Sequence, residues 1–488
     1  MQSRSRSIFL CSTSLLLLLT GCRSKEDPNV VLRKMHERMA TMAENSAKQI
    51  VVPEKSHTKA VVRLVISPFE PFLPVSATMD GTVEQLSNLS DPAANQADTV
   101  ASLRVDADFP PSLLGMAGLA GLVDPVQQGN VKVIAQVQTG IRLLKEQFFL
   151  TFAKAHLQIP TLSKSATISP AVAQRWYVAT AQELREMMGG TAQSAGTVQA
   201  FFKNPLLQGE RVRKDMLSFF KGISIWKPAK KMTTKDGLLH IAVESDPEKL
   251  QRTLTDLAAM LARISSQGDA EAQKDVEKKI ADGFKEIGSI RGTVKATPEY
   301  AFAGFDGDLL NEKKEVQLSI ATTFHDDTIL VKLHHPKKTE SVMVFEKKGS
   351  AFSVSADGKK VLEGIVSDKQ LAFSVLDGGK KTLLGDFVIE EASRKRFSIH
   401  GSLADQEGRT KLFVRTLEAK LDNDSKDKFS ALQASLVIAD QNVAEIAASW
   451  EQKEDLSVRI EAPASPKPLN TLLPDLQPFF TAVVSLFQ

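Results

Sequence analysis

Chemistry in this 488-residue chain would have to come from a few local groupings, and none of them is complete. His325, Asp326-Asp327 and His334-His335 form the one cluster of metal-ligand types close in sequence. Neighbouring residues of a strand point to opposite faces, so His334 and His335 do not share an ion, and Asp326-Asp327 reads as a turn. Asp422-Asn423-Asp424 starts like a calcium loop, but Asp427 occupies the position that needs glycine and Gln433 the one that needs a bidentate glutamate. Ser218-Phe219-Phe220-Lys221 has the spacing of a serine nucleophile and its lysine, without any companion motif. No Gly-x-Ser-x-Gly, phosphate-binding loop or His-Glu-x-x-His is present. The residues therefore predict no catalytic activity, no cofactor and no metal site.

The N-terminus has the zones of an export signal: Arg4 and Arg6, then an apolar core from Ile8 to Leu19, too short to span a bilayer. The core ends in Leu19-Thr20-Gly21-Cys22, which resembles the lipobox of bacterial lipoprotein precursors. That resemblance implies cleavage before Cys22 and lipidation of its thiol. It also implies membrane lipid as a partner through that acyl anchor, on the outer face of the cytoplasmic membrane or on the outer membrane. The only other cysteine, Cys11, lies inside the leader, so no disulfide is expected within the mature chain. The net charge is +3, and removal of Arg4 and Arg6 brings the chain near neutrality, which gives no electrostatic case for nucleic acid. Protein partners have no signature.

Those features need elements to hold them. Five segments emerge: the leader 1–22, a stalk and helix 23–59, an antiparallel sheet with helical insertions 60–288, a strand-and-turn meander 289–461, and an apolar tail 462–488. Asp27-Pro28 and Asp246-Pro247 each put an N-cap before a proline at the first helical position. After the second, Leu250, Leu254, Leu257, Leu261 and Ile264 form one apolar stripe. Alternation is clear in Leu103, Val105, Ala107, Phe109 and in Val131, Val133, Ala135, Val137. In the meander, Phe352 to Val366 and Phe373 to Val388 align as one hairpin copied once, with turn signals at Asp357-Gly358 and Asp377-Gly378-Gly379. So many strands cannot remain flat. The expected class is α+β and β-rich: strongly curved antiparallel sheets, as half-barrel or barrel meanders, with packed helices and two sheet units. Pro474, Pro478 and Asp475 argue against a spanning helix in the tail, which is expected to pack onto a curved sheet.

Residues 60–265 resemble the LolA-like and LppX/LprG-like lipoprotein and lipid carriers. The resemblance is carried by the lipobox, the run of strands, Gln174-Arg175-Trp176-Tyr177 and Lys235-Asp236-Gly237 with the strand after it. It implies a curved sheet closing over an apolar cavity, and so a membrane-anchored, non-catalytic extracytoplasmic lipoprotein that binds or carries a lipophilic ligand. Leu114, Met116, Leu119, Leu122, Phe148, Phe152 and Trp176 are the candidate ligand contacts. Pro110 to Val126 reads either as a lid or membrane-dipping segment or as a buried connecting helix. The alternative function is a structural or interaction lipoprotein of the cell envelope with a fully packed interior.

Overall fold

A computed structural model describes residues 27–47, 53–70, 72–90, 96–110, 129–187, 189, 214, 218–219, 225–266, 270–284, 286–325, 327–393, 396–420 and 427–486. The chain folds into two compact units, one from residues 1–50 and 209–384, the other from 51–208 and 385–488.

In the first unit, helix α1 (Pro28–Ala47) is capped by Asp27, whose carboxylate accepts the Asn29 N–H at 2.9 Å. Outside this unit, but next in chain order, come β1 (Lys55–Ile66), β2 (Ser76–Asn88), β3 (Gln96–Phe109), β4 (Val131–Leu144), β5 (Gln147–Ile159), β6 (Lys164–Thr167), α2 (Pro170–Ala173), β7 (Tyr177–Thr180) and α3 (Ala181–Met187). The first unit resumes with β8 (Met232–Lys235), β9 (Leu238–Glu244), α4 (Pro247–Ser266) and α5 (Ala270–Phe284). Eight meander strands follow, β10 (Ser289–Ala296), β11 (Phe302–Leu310), β12 (Val316–His325), β13 (Thr328–His334), β14 (Ser341–Lys348), β15 (Ala351–Ala356), β16 (Lys359–Val366) and β17 (Gln370–Asp377). Asp246 caps α4 through the N–H groups of Glu248 and Lys249, at 3.1 and 3.2 Å. Leu250 and Leu254 of its stripe are buried with Val31 and Met35 of α1 against Ile241, Val294 and Phe305. That core continues across the strands as one register row, Ile241, Val294, Phe305, Thr322, Val331, Phe345, Val354, Leu362, Val375. The lone polar member, Thr322, is buried because its hydroxyl accepts the Phe305 N–H at 2.9 Å. The copied hairpin is β15–β16 and then β17 with β18 (Lys380–Ala392), and positive φ at Asp357 and Gly358 closes its first turn.

The second unit is completed by β19 (Arg396–Asp405), β20 (Thr410–Lys420), β21 (Lys428–Ile438), β22 (Gln441–Glu454), β23 (Lys467–Pro468) and α6 (Leu472–Leu486). β22 returns nearly four hundred positions to lie antiparallel to β1, giving the order β19, β20, β21, β22, β1, β2, β3, β4, β5, with β6 and β7 both on β5. The expected pair of sheets is thereby corrected. The 23 strands of the described residues form one hydrogen-bonded sheet. The β-rich class with packed helices stands.

A candidate binding groove

In β1 to β4 and β20 to β22, side chains alternate between two chemically distinct faces, interrupted by register shifts between Val414 and Thr416 and between Leu436 and Val437. One face carries charge: Lys59 pairs with Glu84 at 2.8 Å, Arg63 with Asp80 at 3.6 Å, and Asp106 with Lys132 at 2.8 Å and Arg104 at 3.5 Å. The hydrogen bond and charge of Lys59 hold the Glu84 carboxyl below its ordinary range, and the hydrogen bond from Lys132 does the same for Asp106. The Thr82 and Ser102 hydroxyls meet on this side at 2.6 Å.

The other face is apolar. Across seven strands the register aligns Leu417, Leu432, Ala448, Val62, Gly81, Leu103 and Val137 in one row. Beside it runs a second row, Ser430, Trp450, Ala60, Val83, Ala101 and Thr139. Together they line a groove of about 690 Å³. Its floor is built of small residues, and at Gly81 a Cβ would come within 2.9 Å of Val62 Cγ1. Leu103 and Val83 are each 41% exposed in it, although an alternating strand would ordinarily bury that face. Six spacings between neighbouring strands make the groove about 29 Å long, taken at ~4.8 Å each.

The adjoining part of the same face is covered from within the chain. Helix α6 lays Leu472 and Leu476 against Ala155, Ile168, Val172 and Tyr177, and Leu486 against Val131 and Ile159. Tyr177, fully buried, donates its hydroxyl to Asp475 at 2.8 Å. Asp475 also takes Lys467 Nζ at 2.8 Å and faces Arg175 at 3.5 Å. Burial, then the bond to Asp475, pushes the Tyr177 phenol up to about 12, while Lys467 and Tyr177 hold Asp475 low. Pro478 sits inside α6 instead of ending it.

The residues singled out from sequence do not converge on this groove. Phe148 packs with Ala97, Leu143, Ala181 and Leu184, and Phe152 with the α6 cluster around Tyr177 and Leu472. Both are filled positions of the apolar face. Trp176 lies on the opposite face, stacked under the Arg142 guanidinium at 4.8 Å and close over Gly140 and Thr151. Arg142 is fixed there by Asp98 at 2.5 Å and the Glu461 carbonyl at 2.6 Å. Leu114, Met116, Leu119, Leu122 and Cys22 lie outside the described residues, as do Lys221 and Asp422 to Asp424. His335 Nδ1 accepts the Lys337 N–H at 3.2 Å, an ordinary turn role. Among the described residues no three His, Cys, Asp or Glu side chains come together as a metal site. Sequence reading missed the groove because its rows join strands from both ends of the chain. The signal it carried was alternation in β1, β3 and β4.

No protein-family model and no curated protein matches the chain. Solved structures similar to it include the translocator domain of the autotransporter NalP from Neisseria meningitidis, at 8% identity and a TM-score of 0.18, covering 87% of this chain and 96% of that one. The β domain of the Bordetella autotransporter BrkA follows at 7% identity and 0.17, covering 82% and 98%. A TodX monoaromatic hydrocarbon channel mutant has 7% identity and 0.21, covering 85% and 92%. These are autotransporter domains and channels, not LolA-like or LppX/LprG-like carriers, which corrects the resemblance drawn from sequence. The lipophile-carrying lipoprotein, its packed-interior alternative and its acyl-anchor partner fall with it. The physical reasons agree: two supposed ligand contacts are plugged by the chain's own helices, a third is on the wrong face, and the groove that is open lies elsewhere. Lipid anchoring is without support. At such TM-scores the neighbours lend this chain no activity of their own.

Proposed function

We propose that this is a binding protein of the bacterial envelope whose open sheet groove takes an apolar helical segment of another polypeptide. The observation that carries the reading is α6 itself. The same apolar face already accepts a helix through Leu472, Leu476, Phe479 and Val483, and the groove continues that face with no covering helix among the described residues. A trough about 29 Å long matches a helix of roughly 20 residues at 1.5 Å per residue. The export-signal pattern at Arg4 to Leu19 supports the location.

The test uses the full chain and a synthetic peptide with the sequence of residues 472–488. Trp450, in the groove wall, reports binding by its emission. Saturable binding is expected, weakened at least about tenfold by Leu103→Glu or Val83→Glu, since placing a charge in a desolvated apolar contact costs more than ~1.4 kcal/mol. Both side chains are exposed enough that the variants should fold. No binding, or binding indifferent to both substitutions, would sink the proposal.

A second reading has one observation in its favour. β1 to β4 and β22 run 12 to 14 residues, longer than the ~9–11 of a bilayer-crossing strand, with one face apolar and the other charged. On that reading the apolar face would meet lipid, and Leu103→Glu would release the chain from the membrane fraction instead of weakening peptide binding. Against it, α6 occupies part of the very face that lipid would need.

A further inference from the structure

Among the described residues of the second unit the connection between β1 and β2 holds the most exposed large apolar side chain, Phe72, and it is built from specific backbone hydrogen bonds. Ser67 N–H is tied to the Val443 carbonyl at 2.9 Å. Phe69 and Leu73 then exchange backbone hydrogen bonds at 2.7 and 2.6 Å, closing a miniature hairpin between Pro68 and Pro74. Within it the rings of Phe69 and Phe72 stack at 5.7 Å and 22°. Phe72 is 80% exposed and Leu73 is exposed beside it. A held tip that points a phenylalanine and a leucine into water gains nothing in the isolated fold, because each forgoes the ~1.5–3 kcal/mol its burial would bring.

A second feature lies at the same end of the sheet. The register carries that end from Ile66 and Ala77 through Ser76 and Asp108 to Phe109 and Val131. The C-terminal half of α6 packs there, through Leu486, Val483 and Phe479 on Val131 and Ile159. Its outward side leaves Phe480 49% and Val484 55% exposed, and Asp475 is the one charged residue in the whole helix. A surface helix ordinarily turns charge outward.

We infer that this end of the sheet contacts a lipid bilayer, with the Phe69–Leu73 tip and the outer ridge of α6 at Phe480 and Val484 entering the interfacial zone. A bilayer is the occupant that fits. The two features lie on separate elements and each presents only two exposed apolar side chains, Phe72 with Leu73 and Phe480 with Val484, whereas a stable protein partner needs about 800 Å² of matched surface on each side. Aromatic and leucine side chains partition into the interface one by one. This contact does not involve Cys22, and it is independent of the groove, whose rows run across the strands away from the tip.

The experiment places Phe72→Trp in the full chain and adds vesicles of phosphatidylethanolamine and phosphatidylglycerol, with or without acyl-chain bromines. A parallel set of zwitterionic phosphatidylcholine vesicles separates apolar insertion from charge attraction. The emission added by the substitution, over that of the parent chain, should shift blue and be quenched by the brominated lipid in both compositions. In the chain with native Phe72, Phe480→Ser with Val484→Ser, or Phe72→Ser with Leu73→Ser, should each lower the apparent partition coefficient about tenfold, as expected for partial loss of ~2 buried side chains. Because all four positions are exposed, the melting curve should not move, which separates lost contact from lost fold. If the added indole stays open to an aqueous quencher while the chain sediments with vesicles, or if the paired serine variants bind as the parent does, the inference is wrong.

Discussion

Tyr177 shows at the residue scale how one buried polar group decides where a helix lies. Its ring is enclosed by Leu472, Leu476, Ile168 and Val172, and its hydroxyl finds Asp475 at the one acidic position in α6. Without that partner the hydroxyl would be buried unsatisfied. Tyr177→Phe removes a bond to a charged acceptor and should cost about 1–3 kcal/mol in urea denaturation. The pH dependence has a definite sign. The folded phenol is raised to about 12 from an unfolded value of ~10, so its contribution is complete below pH 10. It is lost as pH rises from 10 toward 12, and Tyr177→Phe should flatten that part of the stability curve. Asp475 acts at the other end: its lowered carboxyl contributes above the unfolded value near 4 and is lost as acid protonates it. Trp176, one position earlier in the chain, faces the other side of the sheet, so the two adjacent aromatic residues serve separate environments.

Helix α6 separates, at the scale of an element, what packs from what does not. Leu472, Leu476 and Leu486 are buried, while Leu473, Phe480 and Val484 face outward. Leu476→Ala should destabilise the second unit by about 2–4 kcal/mol, and Leu473→Ala by no more than ~0.5 kcal/mol, measured as shifts in chemical denaturation. Equal effects would mean that the helix does not sit as described. Much at this scale was legible in the sequence. Asp27 and Asp246 cap the helices they introduce, the apolar stripe from Leu250 faces a core, and Asp357-Gly358 closes a hairpin. These signals are local, and local physics suffices to read them. The pairing of β1 with β22 has no local signal: Ala60 opposite Trp450 and Val62 opposite Ala448 depend on which distant strand completes the sheet. For the same reason the groove has no local signature, and Phe148 and Phe152 look like ligand contacts in sequence. A row of apolar side chains looks the same in sequence whether a helix, a ligand or nothing covers it. α3 and α6 cover these two, and only tertiary structure shows it.

For the molecule as a whole, the decisive feature is the order in which its pieces become available. The second unit draws on residues 51–208 and 385–488, so the segment 209–384 of the first unit lies between its halves in the chain. The Gln452 amide donates to the Ser56 hydroxyl across 396 positions, and Asp455 N–H reaches the Lys55 carbonyl. Contacts of such separation form late, because the intervening chain must be closed before they contribute anything. Until β22 arrives, β1 is a 12-residue edge strand with open backbone groups, a ready template for wrong pairing. A chain stopped after Asp440 therefore tests the architecture. It lacks β22 and α6, exposing β1 along its length and uncovering Val131, Ile159 and Tyr177. The first unit loses none of its own core, since Val31, Met35, Leu250, Val294 and Phe305 all precede the stop. Limited proteolysis read by mass spectrometry should then cut first within 53–187, while 225–384 persists at protease concentrations that erase the other half. Simultaneous loss of both would show that the first unit depends on the second for its stability. Equal resistance of truncated and full chains would show that β22 and α6 are not the closing pieces of the second unit.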